Sequence, residues 1–250
     1  MMKLTTLTKV LSLLLALNLN LSASEASHKI HWSYNGETSP AYWGEITPKF
    51  HTCGEGLNQS PIDLKGFIDG NLSTIPFDYN STSTEIVNNG HSIQVNVAEG
   101  STIKVDGIIF ELKQFHFHTP SENNINGKSF PLEAHFVHSS KEGELAVVAL
   151  MFNEGKKNKV LEQYWLKMPM KAGEKSELIV KTIETLLPKN RDYYRFNGSL
   201  TTPPCTEGVR WIVLKDATTL SKAQIKKFAK VMEHPNNRPI QAINARVIIE

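Results

Sequence analysis

The middle of this chain is a series of short apolar segments separated by turn signals. Segments with the length and composition of β-strands occupy residues 93–97, 108–112, 115–118, 133–138, 145–152 and 211–214. Between them lie dipeptides that favour tight turns, namely Asn89-Gly90, Asp106-Gly107, Asn126-Gly127 and Glu142-Gly143. We therefore predict a mainly β fold with a large, mostly antiparallel, twisted central sheet.

Helical patterns are confined to three stretches. The strongest covers residues 221–234, where Ser221 and Gln224 have the spacing of a capping box ahead of an apolar face. Weaker patterns cover residues 157–166 and 174–187. These stretches predict a few peripheral helices joined by long, proline-containing loops. No linker, low-complexity block or internal repeat divides the chain, so we expect a single domain.

The N-terminus has the order of parts of a secretory signal peptide. Lys3 and Lys9 precede an apolar run at residues 10–17, and small residues follow at 22–24. A membrane anchor is the alternative, but Asn18 and Asn20 interrupt the run, which is shorter than the roughly 20 residues of a membrane span. We expect residues 1–24 to be a cleaved signal peptide, with cleavage after Ala23 or Ser24, and no stable membrane insertion afterwards.

The charge balance argues against a polyanionic partner. The chain has 27 basic and 25 acidic residues, and removal of Lys3 and Lys9 with the signal peptide leaves 25 of each. A neutral surface gives no electrostatic reason to bind nucleic acid or anionic membrane. We expect a small-molecule substrate instead.

Cys53 and Cys205 are the two cysteines of the chain. Export to an oxidising compartment would allow them to pair, and we predict a disulfide between them. Two buried free thiols or half of a metal site are the alternatives, and the absence of a C-x-x-C motif argues against the metal site.

The most informative chemistry lies in two segments that place histidines on one face of a strand. In residues 114–118, the period of two puts Gln114, His116 and His118 on one face, while Phe115 and Phe117 point to the other. One face of this strand therefore carries polar chemistry and the other belongs to the core.

The second segment, residues 133–138, repeats this arrangement. Glu133 and His135 share one face, whereas His138 faces the other way and is interpreted as a packing residue. If the two strands pair, three imidazoles converge, which is the set that leaves a catalytic zinc ion one open position. Gln114 and Glu133 each lie two residues before a histidine, where they can accept the other ring N–H and orient the imidazole.

Five motifs occur in the order found in the alpha-class carbonic anhydrases, and the chain resembles that family from residue 31 nearly to its C-terminus. The motifs are Asn58-Gln59-Ser60-Pro61-Ile62, Asn88-Asn89-Gly90-His91, the segment 114–118, the segment 133–138, and Ser199-Leu200-Thr201-Thr202-Pro203-Pro204-Cys205. The resemblance implies a catalytic domain at residues 25–250 that interconverts carbon dioxide and bicarbonate.

The resemblance also implies a role for each site residue. It makes His116, His118 and His135 the zinc ligands, with zinc-bound hydroxide attacking carbon dioxide. It makes Thr201 the residue that hydrogen-bonds this hydroxide and passes its own proton toward Glu122, and it makes His91 the proton shuttle. The carbon dioxide pocket would be formed by Val137, Val147, Leu200, Val209 and Trp211. Further polar residues would line the cavity, namely Tyr34, Asn89, Gln94 and Thr202.

Two other functions remain as alternatives at this point. Domains of this kind can serve as binding modules after losing a zinc histidine, but the ligand set is complete here. A zinc hydrolase acting on esters or phosphates is the second alternative. The signal peptide, the cysteine pair and a short loop after His118 resemble the compact bacterial members, which predicts a periplasmic protein, or alternatively a secreted one, that is a monomer or a homodimer.

Overall fold

A computed structural model of the chain describes residues 30–181 and 183–250. The predicted signal peptide lies outside the described residues. The strands are β1 (Asp63–Leu64), β2 (Phe77–Asp78), β3 (Ser83–Asn88), β4 (Ile93–Val97), β5 (Thr102–Val105), β6 (Ile108–His118), β7 (Asn124–Ile125), β8 (Leu132–Ser140), β9 (Leu145–Glu154), β10 (Lys175–Val180), β11 (Tyr193–Ser199), β12 (Glu207–Leu214) and β13 (Thr218–Leu220).

The helices are short and lie outside the sheet. They are α1 (Trp43–Ile46), α2 (Thr52–Glu55), α3 (Lys159–Lys167) and α4 (Lys222–Met232), with 3-10 turns at Gly36–Thr38, Pro48–Phe50 and Ile183–Leu186. None of the helices within the described ranges has the length and hydropathy needed to cross a bilayer.

Eleven strands of the described chain form one large mixed sheet. Its order is β10-β3-β4-β6-β8-β9-β12-β11, with β5 between β6 and β2, and β13 beside β9. Strand β9 runs parallel to β12 and β13, and the other neighbours in this sheet are antiparallel. The predicted mainly β fold with a mostly antiparallel sheet is therefore confirmed.

The sheet separates two apolar clusters. The larger one includes Phe115, Phe117 and Phe136 and packs against Trp165 of α3 and Phe228 of α4. The smaller one includes residues of β8, β9 and β12 whose side chains alternate with those of the larger cluster. The small cluster lies on the face that also carries the histidines, so the larger cluster and the site occupy opposite faces of the same strands.

A β-bulge in β6 determines which side chains of this strand point to each face of the sheet. Leu112 is opposite His138 on β8 and Gln114 is opposite Val137, so Lys113 between them has no partner on that strand. Before the bulge the core residues are Phe110 and Leu112, and after it they are Phe115 and Phe117. The extra residue moves the core positions from even to odd numbers, which leaves His116 and His118 on the site face.

The helix predicted at residues 174–187 is wrong. Residues 175–180 form the strand β10, which pairs antiparallel with β3 at the edge of the sheet, and a 3-10 turn follows at Ile183–Leu186. Leu178 and Val180 are buried while Ile179 between them is 83 % exposed, which is the alternation of a strand. Pairing with β3 therefore outweighs the helix propensity of the preceding polar residues.

The other two helices form where the sequence indicates. Ser221 accepts a hydrogen bond from the Gln224 N–H, and the Gln224 side chain accepts from the Ser221 N–H, so the predicted capping box is present and α4 begins at residue 222. Helix α3 begins after Asn158, whose side chain caps the N–H groups of Val160 and Leu161.

Candidate metal centre and active site

The three histidines predicted as ligands come together because β6 and β8 are antiparallel neighbours. His116 lies directly opposite His135 in the ladder, and His118 lies opposite Glu133. The ring centroids are 4.6–5.4 Å apart, and one candidate ligand atom from each ring lies within 4.8 Å of the others. Two rigid strands therefore present three imidazoles to one point.

Each of the three rings uses one nitrogen for a hydrogen bond within the protein. The Nδ1 atom of His116 is 2.9 Å from Gln114 Oε1, and the Nε2 atom of His135 is 2.8 Å from Glu133 Oε1. The Nδ1 atom of His118 is 2.7 Å from the main-chain oxygen of Asn236. Because all three oxygens accept, these nitrogens carry the proton and the opposite nitrogens keep a lone pair.

The electrostatics of the cluster suit a metal ion. Burial lowers the pKa of His116, His118 and His135, and the neighbouring imidazoles lower it further for His116 and His135. The rings are therefore neutral, which is the form that binds a metal ion. The Nε2 atom of His118 is buried without a hydrogen-bond partner among the described residues, as expected of an atom reserved for a metal ion.

Glu133 is held in place by several N–H donors. Its Oε2 atom accepts from the main-chain N–H groups of Glu122 and Asn123, at 2.7 and 2.8 Å, and its Oε1 atom accepts from Asn123 Nδ2 at 2.8 Å. Burial raises the pKa of Glu133, while the hydrogen bonds from Asn123 counteract this. The carboxylate is thus fixed beside His135, and the orientation of that imidazole is fixed with it.

Glu122 and Thr201 lie next to the histidines. The Glu122 Oε2 atom is 3.4 Å from His118 Nε2 and 3.7 Å from His135 Nδ1, and its Oε1 atom accepts from the Arg238 N–H at 2.9 Å. Burial raises the pKa of Glu122 well above its usual range, whereas hydrogen bonds from the Arg238 main chain and the Thr201 side chain lower it. Thr201 is buried as well.

The five residues expected to form an apolar pocket belong to the small cluster. Val147, Val209 and Trp211 are buried there, and Val137 and Leu200 pack against them half-buried. Val137, Val147 and Trp211 form a row across three strands, since each lies opposite the next in the ladder. The Trp211 ring centroid is 4.9 Å from that of His135, so the apolar wall begins beside the candidate metal ligands.

The polar residues predicted around the site lie on and near the turn between β3 and β4. The His91 ring stacks on Trp32 with centroids 3.6 Å apart and an interplanar angle of 8°. The Oδ1 atom of Asn89 accepts from the His91 N–H, its Nδ2 atom is 3.3 Å from Gln94 Oε1, and Gln94 is opposite His116 on β4. His91 is half-buried.

Tyr34 and Thr202 complete the predicted set. The Tyr34 ring is 5.5 Å from Trp32, its hydroxyl is buried, and burial together with the charge of Glu122 raises its pKa. The carbonyl of Thr202 accepts a hydrogen bond from the N–H of Cys205, whose side chain forms a disulfide with Cys53 across a Cα–Cα distance of 5.0 Å. The predicted cysteine pair is therefore present in the structure.

Comparison with known proteins identifies the family. A model of the eukaryotic-type carbonic anhydrases matches residues 38–250. The chain belongs to the eukaryotic-type, or alpha-class, carbonic anhydrase family. A carbonic anhydrase of Pectobacterium carotovorum is 47 % identical over 240 residues, which cover 96 % of this chain and 98 % of that protein.

Solved carbonic anhydrases have the same fold. The alpha-carbonic anhydrase of Thermovibrio ammonificans, in a complex with the inhibitor sulfanilamide, has a TM-score of 0.87 and 47 % identity, covering 88 % of this chain and 99 % of its own. That of Photobacterium profundum has a TM-score of 0.84 and 52 % identity, covering 88 % of this chain and 100 % of its own. The chain is therefore an enzyme of a family whose general reaction is carbon dioxide hydration.

Sequence reasoning missed two buried residues, Asn236 and Arg238, whose hydrogen bonds hold parts of the carbonic anhydrase site in place. Asn236 and Arg238 lie in a polar segment between two prolines, which on pattern alone predicts an exposed loop. Both are buried, and Arg238 donates to Gln59 Oε1 and to the main-chain oxygens of Ser60 and Cys53. The Asn58-Gln59-Ser60 motif was a possible signal, because Gln59 is one of the acceptors of Arg238.

His138, interpreted as a packing residue, lies outside the metal centre. Its Nε2 atom accepts from the Tyr79 hydroxyl at 2.7 Å, and its Nδ1 atom is 3.3 Å from the Ala146 carbonyl. Burial lowers the pKa of His138 to about 3. It is a neutral histidine within the carbonic anhydrase fold with both ring nitrogens engaged.

Proposed function

We propose that this carbonic anhydrase is a zinc enzyme that hydrates carbon dioxide reversibly to bicarbonate and a proton. One observation carries the proposal. Three neutral imidazoles, two of them buried and that of His116 half-buried, each engage one nitrogen with the protein and leave the other for a common point. A three-histidine set on rigid strands leaves a zinc ion one open position, which is the catalytic arrangement rather than the structural one.

The residues fit zinc better than they fit magnesium or calcium. Imidazole nitrogen suits zinc, whereas magnesium and calcium require oxygen ligands. When bound, zinc lowers the pKa of a coordinated water to about 7, a value known from carbonic anhydrase itself, and so supplies a nucleophile near neutral pH. The remaining work of the site falls to the side chains around the ligands.

Thr201 and Glu122 would orient the attacking oxygen. A Thr201 hydroxyl that donates to the Glu122 carboxylate can only accept at its own oxygen, so the attacking group must donate a hydrogen bond to Thr201 and direct a lone pair at carbon dioxide. The Arg238 N–H on Glu122 Oε1 holds the carboxylate in this position. The hydrogen bonds from the Arg238 main chain and the Thr201 side chain, together with the charge of Arg238, favour the ionised form of Glu122 against its burial.

The apolar row of Val137, Val147 and Trp211 would hold carbon dioxide beside the ligands. Carbon dioxide has no charge and makes only weak hydrogen bonds, so an apolar wall can bind it loosely and hold it close to the attacking oxygen. Bicarbonate is charged and is poorly accommodated by the same wall. The wall therefore favours capture of the substrate and release of the product.

His91 would carry the proton out of the site. Each hydration leaves one proton to be removed, and an imidazole accepts and releases protons near neutral pH. His91 is half-buried against Trp32 in the turn that precedes β4, and Gln94 of that strand lies opposite His116. This placement supports a role as proton acceptor between the site and solvent.

The test compares two histidines of the same strand. In stopped-flow carbon dioxide hydration, we expect one zinc per chain, loss of activity after chelation and recovery on adding zinc. His135→Ala should lose most zinc and nearly all activity, because two ligands cannot hold the ion. His138→Gln on the opposite face of β8 is the control and should keep both. Full hydration activity in a zinc-free preparation would falsify the proposal.

Ester hydrolysis is the second activity that a centre of this kind supports. Turnover of an activated ester by the same zinc-loaded preparation, compared with carbon dioxide hydration, shows which reaction dominates. We also propose a periplasmic location, supported by the Cys53–Cys205 disulfide, which requires an oxidising compartment. Fractionation of the producing cell, with secreted protein as the competing outcome, tests this.

A further inference from the structure

Asn236 holds two different parts of the site with two different groups. Its main-chain oxygen accepts from His118 Nδ1 at 2.7 Å. Its side-chain oxygen accepts from the Thr119 N–H at 2.8 Å, and its side-chain nitrogen donates to the oxygens of Phe117 and His91 at 2.9 and 3.0 Å. The residue is fully buried, and both N–H bonds of its carboxamide are used.

Three of these four partners lie in β6 or directly after it, and His91 is the one that lies elsewhere in the chain. His91 lies in the turn after β3, where Asn89 Oδ1 accepts from the N–H groups of His91 and Ser92. Ser92 is bonded to the main chain of Phe117 through its hydroxyl, which donates at 2.6 Å and accepts at 3.1 Å. The carboxamide of Asn236 is thus what holds the carbonyl of His91 itself, while the ring stacks on Trp32.

We propose that the Asn236 side chain is a positioning residue for proton transfer, which fixes the main chain of His91 and thereby the placement of its ring. The inference rests on the proposed role of His91 as proton acceptor. It divides Asn236 into two parts, because the main-chain oxygen accepts directly from the ligand His118, whereas the carboxamide is the group that reaches His91. A substitution that removes the carboxamide should therefore impair proton transfer while sparing the metal.

The first variant is Asn236→Ala, which keeps the main-chain oxygen for His118 and removes both side-chain N–H bonds as well as the acceptor of the Thr119 N–H. We expect unchanged zinc content and kcat/KM, because carbon dioxide capture precedes the proton step. In dilute buffer, kcat should fall by about three- to tenfold, the population change that loss of one or two hydrogen bonds produces. Added imidazole should restore kcat.

A second readout is independent of activity. A protonated imidazole stacked on an indole quenches its fluorescence, so the emission of Trp32 should change with pH as His91 titrates. The difference between the protein and its Trp32→Phe variant isolates this signal from the other tryptophans. In Asn236→Ala the pH-dependent step should shrink, in zinc-free and zinc-loaded protein alike. His91→Ala should abolish it.

Two further variants keep the test decisive. Thr119→Val is the matched control, because it removes the hydrogen bond from the Thr119 hydroxyl to the Pro131 oxygen and leaves the N–H on Asn236 Oδ1. It should change neither kcat nor the fluorescence step. Asn236→Asp keeps an acceptor for Thr119 but places a carboxyl oxygen where the amide donated to two carbonyl oxygens, so it should lower kcat at least as much, and it decides the question if Asn236→Ala does not fold.

Three results would overturn the inference. These are an unchanged kcat in dilute buffer, a loss that imidazole does not rescue, or loss of zinc from Asn236→Asp. His91→Ala, measured in parallel, separates this failure from failure of the proposed function. If His91→Ala lowers kcat and Asn236→Ala does not, only the inference is wrong. If His91→Ala leaves kcat unchanged, the proton-transfer role is wrong, and the fluorescence step still tests the positioning.

Discussion

At the scale of residues, the two ring nitrogens of each candidate ligand have different roles. Each candidate ligand has one nitrogen bonded to a protein oxygen and one directed at the common point, so the protein selects the tautomer before any metal ion binds. The oxygens come from an amide, a carboxylate and a main-chain carbonyl. An engineered change at any of these oxygens acts on the metal through the imidazole and not directly.

Thr201 should contribute to rate and not to metal binding. Thr201→Ala removes the hydroxyl that we propose orients the attacking oxygen and should lower kcat/KM by about 100-fold, the usual cost of losing a preorganised hydrogen-bonding group. Zinc content should be unchanged, because Thr201 is not a ligand. Thr201→Ser keeps the hydroxyl and should retain most of the rate. A variant that lost its zinc would show that Thr201 supports the metal instead.

His91 should matter only when buffer is scarce. His91→Ala should lower kcat in dilute buffer and leave kcat/KM nearly intact, since carbon dioxide capture comes before proton release. Imidazole added to the assay should replace the missing side chain. Stopped-flow measurements over a range of buffer concentrations check this, and an unchanged kcat at the lowest concentration would contradict it.

At the scale of elements, strand β8 carries two histidines whose side chains point to opposite faces of the sheet. His135 faces the metal centre, while His138 faces the core and hydrogen-bonds Tyr79. Because burial lowers the pKa of His138 to about 3, the unfolded chain binds a proton near pH 6.5 that the folded protein does not bind. His138 therefore makes no pH-dependent contribution above pH 6.5 and destabilises the fold progressively as the pH falls toward 3.

His138→Gln should weaken this acid sensitivity. The glutamine amide can accept from Tyr79 and donate to the Ala146 carbonyl, so the packing is kept while the titration is lost. Between pH 6.5 and 4, the free energy of unfolding of the unsubstituted protein should fall more steeply than that of the variant, by up to about 1.4 kcal/mol per pH unit. Urea unfolding of both proteins over this range measures the difference. Parallel slopes would contradict the assignment.

Elements differ in how well the sequence predicts them. The ligand strands were predictable because alternation places two histidines on one face and two phenylalanines on the other within five residues. Strand β10 was not, because its pairing with β3 is a long-range contact that overrides a local helical pattern. Asn236 and Arg238 were missed for the same reason, since their burial depends on where a distant loop docks.

At the scale of the whole molecule, the disulfide closes a loop that contains every proposed ligand. Cys53 and Cys205 are separated by 152 residues, and both pack with Trp43 in a small cluster beside Trp32 and Tyr34. Arg238 donates to the Cys53 carbonyl, so the same region also supports Glu122. The disulfide that stabilises the whole fold is therefore also hydrogen-bonded, through the Cys53 carbonyl, to Arg238, the residue that holds Glu122.

Removing the cross-link should lower stability substantially. The chain-entropy model gives roughly 5 kcal/mol for a loop of this length, and measured values are often smaller. The double variant Cys53→Ser, Cys205→Ser should unfold at lower urea concentration with its zinc still bound in native conditions. Thiol titration of the denatured, unreduced protein should find no free thiol. Two titratable thiols in protein from its native compartment would show that the bond does not form there.

The bulge at Lys113 predicts which single codon of β6 can be deleted without moving the histidines to the other face of the sheet. Loss of codon 113 would place Gln114 directly after Leu112, opposite consecutive residues of β8, so the ladder would become continuous and every later side chain would keep its face. Loss of codon 117 would instead make His116 and His118 adjacent, and adjacent residues of a strand point to opposite faces. Soluble expression and zinc content should survive the first deletion and not the second. Within this strand, the chain can therefore shorten at the bulge without losing its metal.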